Sequence, residues 1–303
     1  MNPKATISTL PPSIRLSDEG LDAAVATVAT NEYGEQKPVY IAAERALTIY
    51  LDRREIVTVM TLGTQPELLT LGWLINQRLV PDISAIKSIR VNWETESVAV
   101  TTHGAIEGLE EKLGKKTVTT GCGQGAMYGD MMAGIHKINM QAPRLDQSLI
   151  YAVLKSLNEH NDIYRQAGAV HGCALCKGTH ILRFVEDVGR HNAVDAIAGY
   201  MQLKQITGED KIFYTTGRLT SEMVIKVAQM GIPVLLSRSG ATHMGLILAR
   251  RVGVTLISRA KGRHFLVYTG ADKINYDAIP VSKMHDRSET SSSKRTSSHG
   301  NAA

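Results

Sequence analysis

Aromatic residues make up only 5% of this 303-residue chain, cysteine occurs three times, and no dense run of Lys and Arg is present. Each shortage excludes something. A small, odd number of cysteines does not build a disulfide framework and fits free thiols in a reducing compartment. No apolar stretch reaches the roughly 18 residues that span a bilayer, so no membrane partner is expected. The N-terminus lacks the charged start and unbroken apolar core of a secretory signal, which points to a cytoplasmic protein. The net charge of +5 suits a phosphate-bearing ligand. With few aromatic platforms and no basic run, nucleic acid is not the expected partner.

What is present is a hydrophobic share of 43%, enough for one large domain or two modest ones. Residues 1–37 read as a flexible leader. Residues 38–118 read as a small α+β domain with β-branched runs at 46–51 and 56–62 and a strand pair at 86–91 and 97–102. Between these, Pro66 opens a helix with Leu68, Leu69, Trp73, Leu74 and Leu79 on its apolar face. Residues 119–144 form a Gly/Met-rich loop. Residues 145–278 alternate: a helix at 146–159, strands at 170–175 and 181–186, a helix from Asn192, a strand at 212–215, a helix at 220–230, a strand at 234–237, a helix at 241–252, and strands at 255–258 and 264–268. Such alternation predicts a layered α/β sheet. Residues 279–303, rich in Ser, Lys and Arg, read as a disordered tail.

In such sheets, ligands gather where strands end and helices begin. Three junctions of this kind carry an arginine: Gly189-Arg190-His191, Thr216-Gly217-Arg218-Leu219-Thr220-Ser221-Glu222, and Ser237-Arg238-Ser239-Gly240. Each offers backbone N–H groups, a helix dipole and a guanidinium that grips phosphate oxygens. The bland alternative is that Ser and Thr only cap helices there. A fourth basic turn is Arg259-Ala260-Lys261-Gly262-Arg263-His264. Cys122 lies between Gly121 and Gly123, with Lys115 and Lys116 upstream. Glycine neighbours let a partner approach, and cationic ones favour the reactive thiolate. Cys173 and Cys176 make a C-x-x-C, but three apart on a strand they face opposite ways, so no metal site is expected. His171 and His191 are candidates for proton transfer or ligand contact. Glu186 and Asp187 are candidate acid/base groups, with capping or pairing to Arg190 as the alternative.

Four segments carry a family resemblance: EDVGRHNAVD at 186–195, TGRLTSEMV at 216–224, GIPVLLSRS at 231–239, and the closing RAKGRHFLVYT. Through them the chain resembles the formate dehydrogenase accessory sulfurtransferases of the FdhD family over residues 39–277. The resemblance implies a large domain similar to cytidine deaminases, a layered α/β fold. It implies an enzyme, a sulfurtransferase that accepts sulfur as a persulfide from a cysteine desulfurase. That sulfur goes to bis-molybdopterin guanine dinucleotide, needed by the formate dehydrogenase catalytic subunit, and GDP-like ligands suit the same positions. It also implies a homodimer. The family's loop is C-G-x-C-G. Its persulfide-bearing position falls on Cys122, and its second cysteine falls on Gly125. The family's cofactor segment matches Arg259 to His264, and His171, Arg190, His191, Gly217, Arg218 and Ser237 are the further residues expected around that ligand. A zinc deaminase on the same fold is disfavoured, because H-x-E followed by P-C-x-x-C is missing. A non-catalytic cofactor chaperone stays as the rival, because the second loop cysteine is absent.

Overall fold

The structure, a computed structural model, describes residues 14–114, 116–118, 126–128 and 134–280. β4 (Arg45–Leu51) and β5 (Arg54–Thr61) form a hairpin, as do β6 (Ile86–Asn92) and β7 (Ser97–Thr102). With β1 (Arg15–Leu16) they make one sheet in the order β1-β6-β7-β4-β5. Alternation sends Leu47, Ile49, Leu51, Val98 and Val100 to one face. There α1 (Pro66–Asn76) packs Leu71 and Leu74 against them. Each fully buried leucine contributes about 1.5–3 kcal/mol. Pro66 stands at the first turn, where its missing N–H costs nothing.

Residues 14–37 correct the flexible-leader expectation, while residues 1–13 lie outside the described residues. β2 (Ala24–Thr30) and β3 (Gln36–Ala42) form an antiparallel hairpin across 24–42. Asn31 Oδ1 accepts from the Tyr33 and Glu35 backbone at its turn. The strands are exposed on both faces, so AVATVAT shows no apolar/polar alternation to read.

After α2 (Leu109–Gly114), short strands β8 (Lys116–Val118) and β9 (Ala126–Tyr128) pair on either side of residues 119–125. Those seven residues, with Cys122 and Gly125, lie outside the described residues, and so does the tail from 281 to 303.

The second, six-stranded sheet has the order β12-β11-β13-β14-β15-β16. Its members are β11 (His171–Lys177), β12 (His180–Asp187), β13 (Ile212–Thr215), β14 (Val234–Ser237), β15 (Thr255–Lys261) and β16 (His264–Thr269). β13, β14 and β15 run parallel, and the flanking pairs are antiparallel. Two short strands, β10 (Leu145–Asp146) and β17 (Ile274–Asn275), pair beside it. One face is covered by α3 (Gln147–Leu157) through Ile150, Val153, Leu154 and Leu157. The other is covered by α5 (Arg190–Leu203), α6 (Ser221–Gln229) and α7 (His243–Val252). A short α4 (Asp162–Ala167) precedes β11. No helix among the described residues is long and apolar enough to cross a membrane.

The two sheets meet through α1 and α5. Gly72 and Gly199 face each other at the crossing, where a Cβ on Gly72 would overlap the Asp195 carbonyl oxygen and sit 2.7 Å from its carbon. Asn76 Nδ2 donates to Asp195 Oδ1 at 2.7 Å across the same contact.

Candidate functional site

β13, β14 and β15 all point their carboxyl ends the same way, and α6 and α7 begin just after the first two. β12 also ends at this edge, with Asp187 opposite His171 at the start of β11, and α5 follows at Arg190. The edge therefore collects His171, the Gly189-Arg190-His191 turn, Thr216 to Thr220, and Arg238 to Gly240. Backbone bonds tie these turns together. Thr216 N donates to Gly172 O at 2.9 Å, Arg238 N to Thr215 O at 3.1 Å, and Arg259 N to Ser239 O at 2.9 Å. A cleft of about 350 Å³ opens there, lined by Asn161, Tyr164, His171, Thr216, Arg238 and Ser239 among others. Asn161 and Tyr164 are absent from the sequence expectation. The Asn161-Asp162 pair, a helix-start signal, marks the place.

His171 Nδ1 lies 3.3 Å from Thr216 Oγ1. Burial, and then the Arg190 and Arg218 guanidiniums, hold its pKa below the ordinary imidazole value. Arg190 is buried at the head of α5, and its stem crosses Gly217 so closely that a Cβ there would sit 2.6 Å from Arg190 Cδ. Glycine at 217 is what admits that arginine. Arg218 and Arg238 are exposed, as cations awaiting an anion would be.

Ser237 serves the site from beneath. Its hydroxyl donates to Gly217 O at 2.7 Å and accepts from Ser239 N at 2.9 Å, joining two turns rather than facing the cleft. The 259–264 segment divides. Arg259 is tethered to Ser239, Ala260 is buried in the α3-side core, and Lys261 pairs with His264 at the hairpin end around Gly262. Arg263 and His264 line a separate pocket of about 320 Å³ against Tyr151, Phe265 and Tyr276. The expected ligand residues thus fall into two neighbouring places rather than one.

Glu186 takes the capping role. Its carboxylate accepts from Ile163 N at 2.9 Å and Tyr164 N at 3.0 Å, at the start of α4. Asp187 is an anchor: Thr61 Oγ1 (2.5 Å) and Leu62 N (3.1 Å) donate to one oxygen, and Gly189 N (2.9 Å) and Asn192 Nδ2 (2.8 Å) to the other. With both oxygens occupied and the group buried, it sets the Gly-Arg-His turn against β5. Cys173 and Cys176 sit in the cores on opposite faces of the sheet, and burial pushes both thiols up to about 12. Neither is a thiolate at neutral pH.

Behind the cleft runs a buried charged chain that the sequence reading did not anticipate. Lys226 Nζ lies 2.7 Å from Asp195 Oδ2 and 3.4 Å from Glu222 Oε1. Glu222 Oε1 in turn lies 3.3 Å from His191 Nδ1, close but not aligned as a hydrogen bond. Burial opposes the charge on Lys226, yet the two carboxylates outweigh it and hold its pKa above the ordinary value. Burial pushes Asp195 up, while Lys226 and Asn76 pull the other way. A donor on each oxygen favours its ionised form. For His191, burial first, then Lys226, Arg190, His171 and Arg218, lower the pKa to about 2. Glu222 does not reverse this, because Lys226 already holds that carboxylate.

The His191 shift has a measurable sign. The unfolded chain takes up the proton near pH 6.5 and the folded chain only near 2, so acid favours unfolding between those values. This contribution is fully present above pH 6.5 and falls by about 1.4 kcal/mol per pH unit below it. Urea titrations between pH 7 and 5 are expected to show that slope, and His191→Gln is expected to flatten it. A slope unchanged by the substitution would refute the buried neutral imidazole.

Comparison with known proteins decides the family. The sequence profile of the FdhD/NarQ family matches residues 42–275. This chain belongs to the FdhD/NarQ family. A sulfur carrier protein FdhD from Wolinella succinogenes is 27% identical over 245 residues, covering 80% of this chain and 85% of that protein. One from Geobacillus kaustophilus is 30% identical over 239 residues, covering 77% and 89%. The crystal structure of a protein assigned as a formate dehydrogenase accessory protein, from Desulfotalea psychrophila, matches with a TM-score of 0.66 at 27% identity. It covers 83% of this chain and 98% of the other. The match takes in Cys122 and every expected ligand residue from His171 to His264.

Proposed function

We propose that this chain is a sulfur carrier serving formate dehydrogenase. In this reading Cys122 receives sulfane sulfur from a cysteine desulfurase and delivers it to bis-molybdopterin guanine dinucleotide. The observation that carries it is the convergence of His171, Arg190, Arg218 and Arg238 on one sheet edge, at the helix N-termini of α5, α6 and α7, in a chain of this family. Relatives are named sulfur carrier proteins.

The residues fit a polyanion. Exposed guanidiniums and helix starts supply positive potential. The hydroxyl of Ser258, midway along β15, is buried with no partner among the described residues. Arg190, Arg218 and Arg238 would hold phosphates at the cleft. Arg263 and His264, beside Tyr151 and Phe265, would hold a GDP-like end. His171, kept neutral, would accept or return a proton. When bound, the cofactor supplies the metal that takes the sulfur. A six-stranded sheet with helices on both faces supports reading residues 145–278 as a deaminase-like layered domain, with the small α+β domain beside it.

The sulfur chemistry balances as follows. Cys122 thiolate attacks the outer sulfur of the donor persulfide, the donor S–S bond breaks, and the donor thiolate leaves. Cys122 then carries one sulfane sulfur. With Gly125 where the resembled C-G-x-C-G loop has its second cysteine, no second loop thiol can discharge it as a disulfide. The two electrons that convert sulfane sulfur to sulfide at the acceptor therefore come from an external thiol reductant. A cytoplasmic homodimer completes the proposal. The rival, a chaperone that carries the cofactor without sulfur chemistry, draws on the same Gly125.

The test is maturation of formate dehydrogenase in cells lacking their own family member. Cys122→Ala is expected to reduce formate dehydrogenase activity to background, and Cys176→Ala to retain it. Full activity with Cys122→Ala would reject sulfur relay in favour of the chaperone.

A further inference from the structure

The outer face of the first sheet, opposite α1, carries a trough of about 260 Å³ lined by Arg15, Lys87, Ser88, Arg90, Ala99 and Thr101. Register explains its shape. Ser88 pairs with both Arg15 and Thr101, and Arg90 pairs with Ala99. Residues alternate along β7, so Val98 and Val100 enter the core while Ala99 and Thr101 form a low floor. A bulge at Lys87 turns that side chain outward beside Arg90. Three long cations thus rim a floor of short side chains.

These cations are not partnered. Arg15, Lys87 and Arg90 are exposed and make no ion pair or side-chain hydrogen bond among the described residues. No lining residue is acidic; Glu94 and Glu96 sit in the β6–β7 turn and line no part of the trough. Some exposed cations do find acids, as Lys177 does with Asp210 at 2.9 Å. Surfaces commonly intersperse both signs, so a one-sign trough holds unmet positive potential. α1 and then α5 stand between it and the cleft, so the two are separate places.

We propose that this trough docks an extended acidic segment of a partner protein. Arg15 and Arg90 would take carboxylates by paired N–H donors, with Lys87 as a third cation and Ser88 and Thr101 hydroxyls on the floor. A nucleic-acid strand is the less suited occupant, because the lining offers no aromatic side chain for a base to stack on. The proposal is independent of the sulfur-carrier reading.

The test uses the full chain and a fluorescein-labelled oligoglutamate peptide, followed by fluorescence anisotropy at low and moderate salt. Wild-type protein is expected to bind the peptide with an affinity that falls as salt rises. The triple variant Arg15→Ala/Lys87→Ala/Arg90→Ala is expected to bind about tenfold more weakly, with an unchanged urea midpoint, since all three side chains are exposed. A control variant, Lys204→Ala/Arg250→Ala, is expected to bind as wild type does. Equal binding by the triple variant and wild type would overturn the proposal. So would a labelled oligothymidylate that binds tighter than the peptide through the same three residues.

Discussion

Gly72→Ala is expected to destabilise the protein by about 3–5 kcal/mol, a loss read as a lower urea midpoint. The cause is backbone, not side chain. The new methyl would meet the Asp195 carbonyl group and come within reach of the Gly199 backbone. Neither can rotate away, so α1 and α5 must separate. Separation would loosen Leu68, Leu69 and the Asn76–Asp195 bond along the same seam. Alanine's better helix propensity returns only about 1 kcal/mol. Gly199→Ala meets the Leu68 carbonyl from the other side and should behave alike. The double variant should cost less than the sum, because helices already parted by one methyl accept the second. Gly104→Ala, with open space around its Cα, is the control and should fall within about 0.5 kcal/mol of wild type. An unchanged midpoint in Gly72→Ala would mean that the two helices do not cross this closely.

Lys226→Met should be comparably costly, at about 3–5 kcal/mol, because it strands two carboxylates rather than because it removes a stabilising pair. Asp195 and Lys226 are each about 1% exposed, and Glu222 is 8%. Among the described residues, without the ammonium Asp195 keeps Asn76, and Glu222 keeps a neutral imidazole off its axis. Adding Asp195→Asn should recover about 1–3 kcal/mol, since one orphaned charge is gone. The same variant should disturb His191. Lys226 is one of the cations that depress its pKa, so the imidazole should titrate nearer to its ordinary range. Urea denaturation with a double-mutant cycle measures the first effect, and NMR titration of the His191 ring measures the second. A Lys226→Met protein as stable as wild type would contradict the ionised buried chain.

How much of this was legible depended on whether a segment's periodicity met its burial. The strands at 97–102, 212–215 and 234–237 were placed residue for residue, because β-branched or apolar runs end there at Gly, Thr or Ser turns. Pro66 located the start of α1. Helix α5 begins two residues earlier than Asn192, because Asp187 holds Gly189 N and so launches the helix at Arg190. The hairpin at 24–42 escaped because it is exposed on both faces, and α4, with six residues, is too short for a period to register. Among site residues, the arginine-bearing turns are legible as arginines beside Gly or Ser at strand ends. The buried chain is not. Glu222 and Lys226 are four apart, which reads as a solvated helix pair, and only the approach of α5 with Asp195 turns that spacing inward. Cys122 was singled out by its glycine neighbours and by family likeness. The described residues add the ladder of β8 and β9 on either side of its segment.

The central claim, that one sulfur rides on Cys122, is tested most directly by intact-protein mass spectrometry after incubation with a cysteine desulfurase and cysteine. The wild-type chain should gain the mass of a single sulfur atom. Reduction should remove that gain, and Cys122→Ala should never acquire it. An equal gain in Cys122→Ala, or a gain that follows Cys173 or Cys176 instead, would contradict the account.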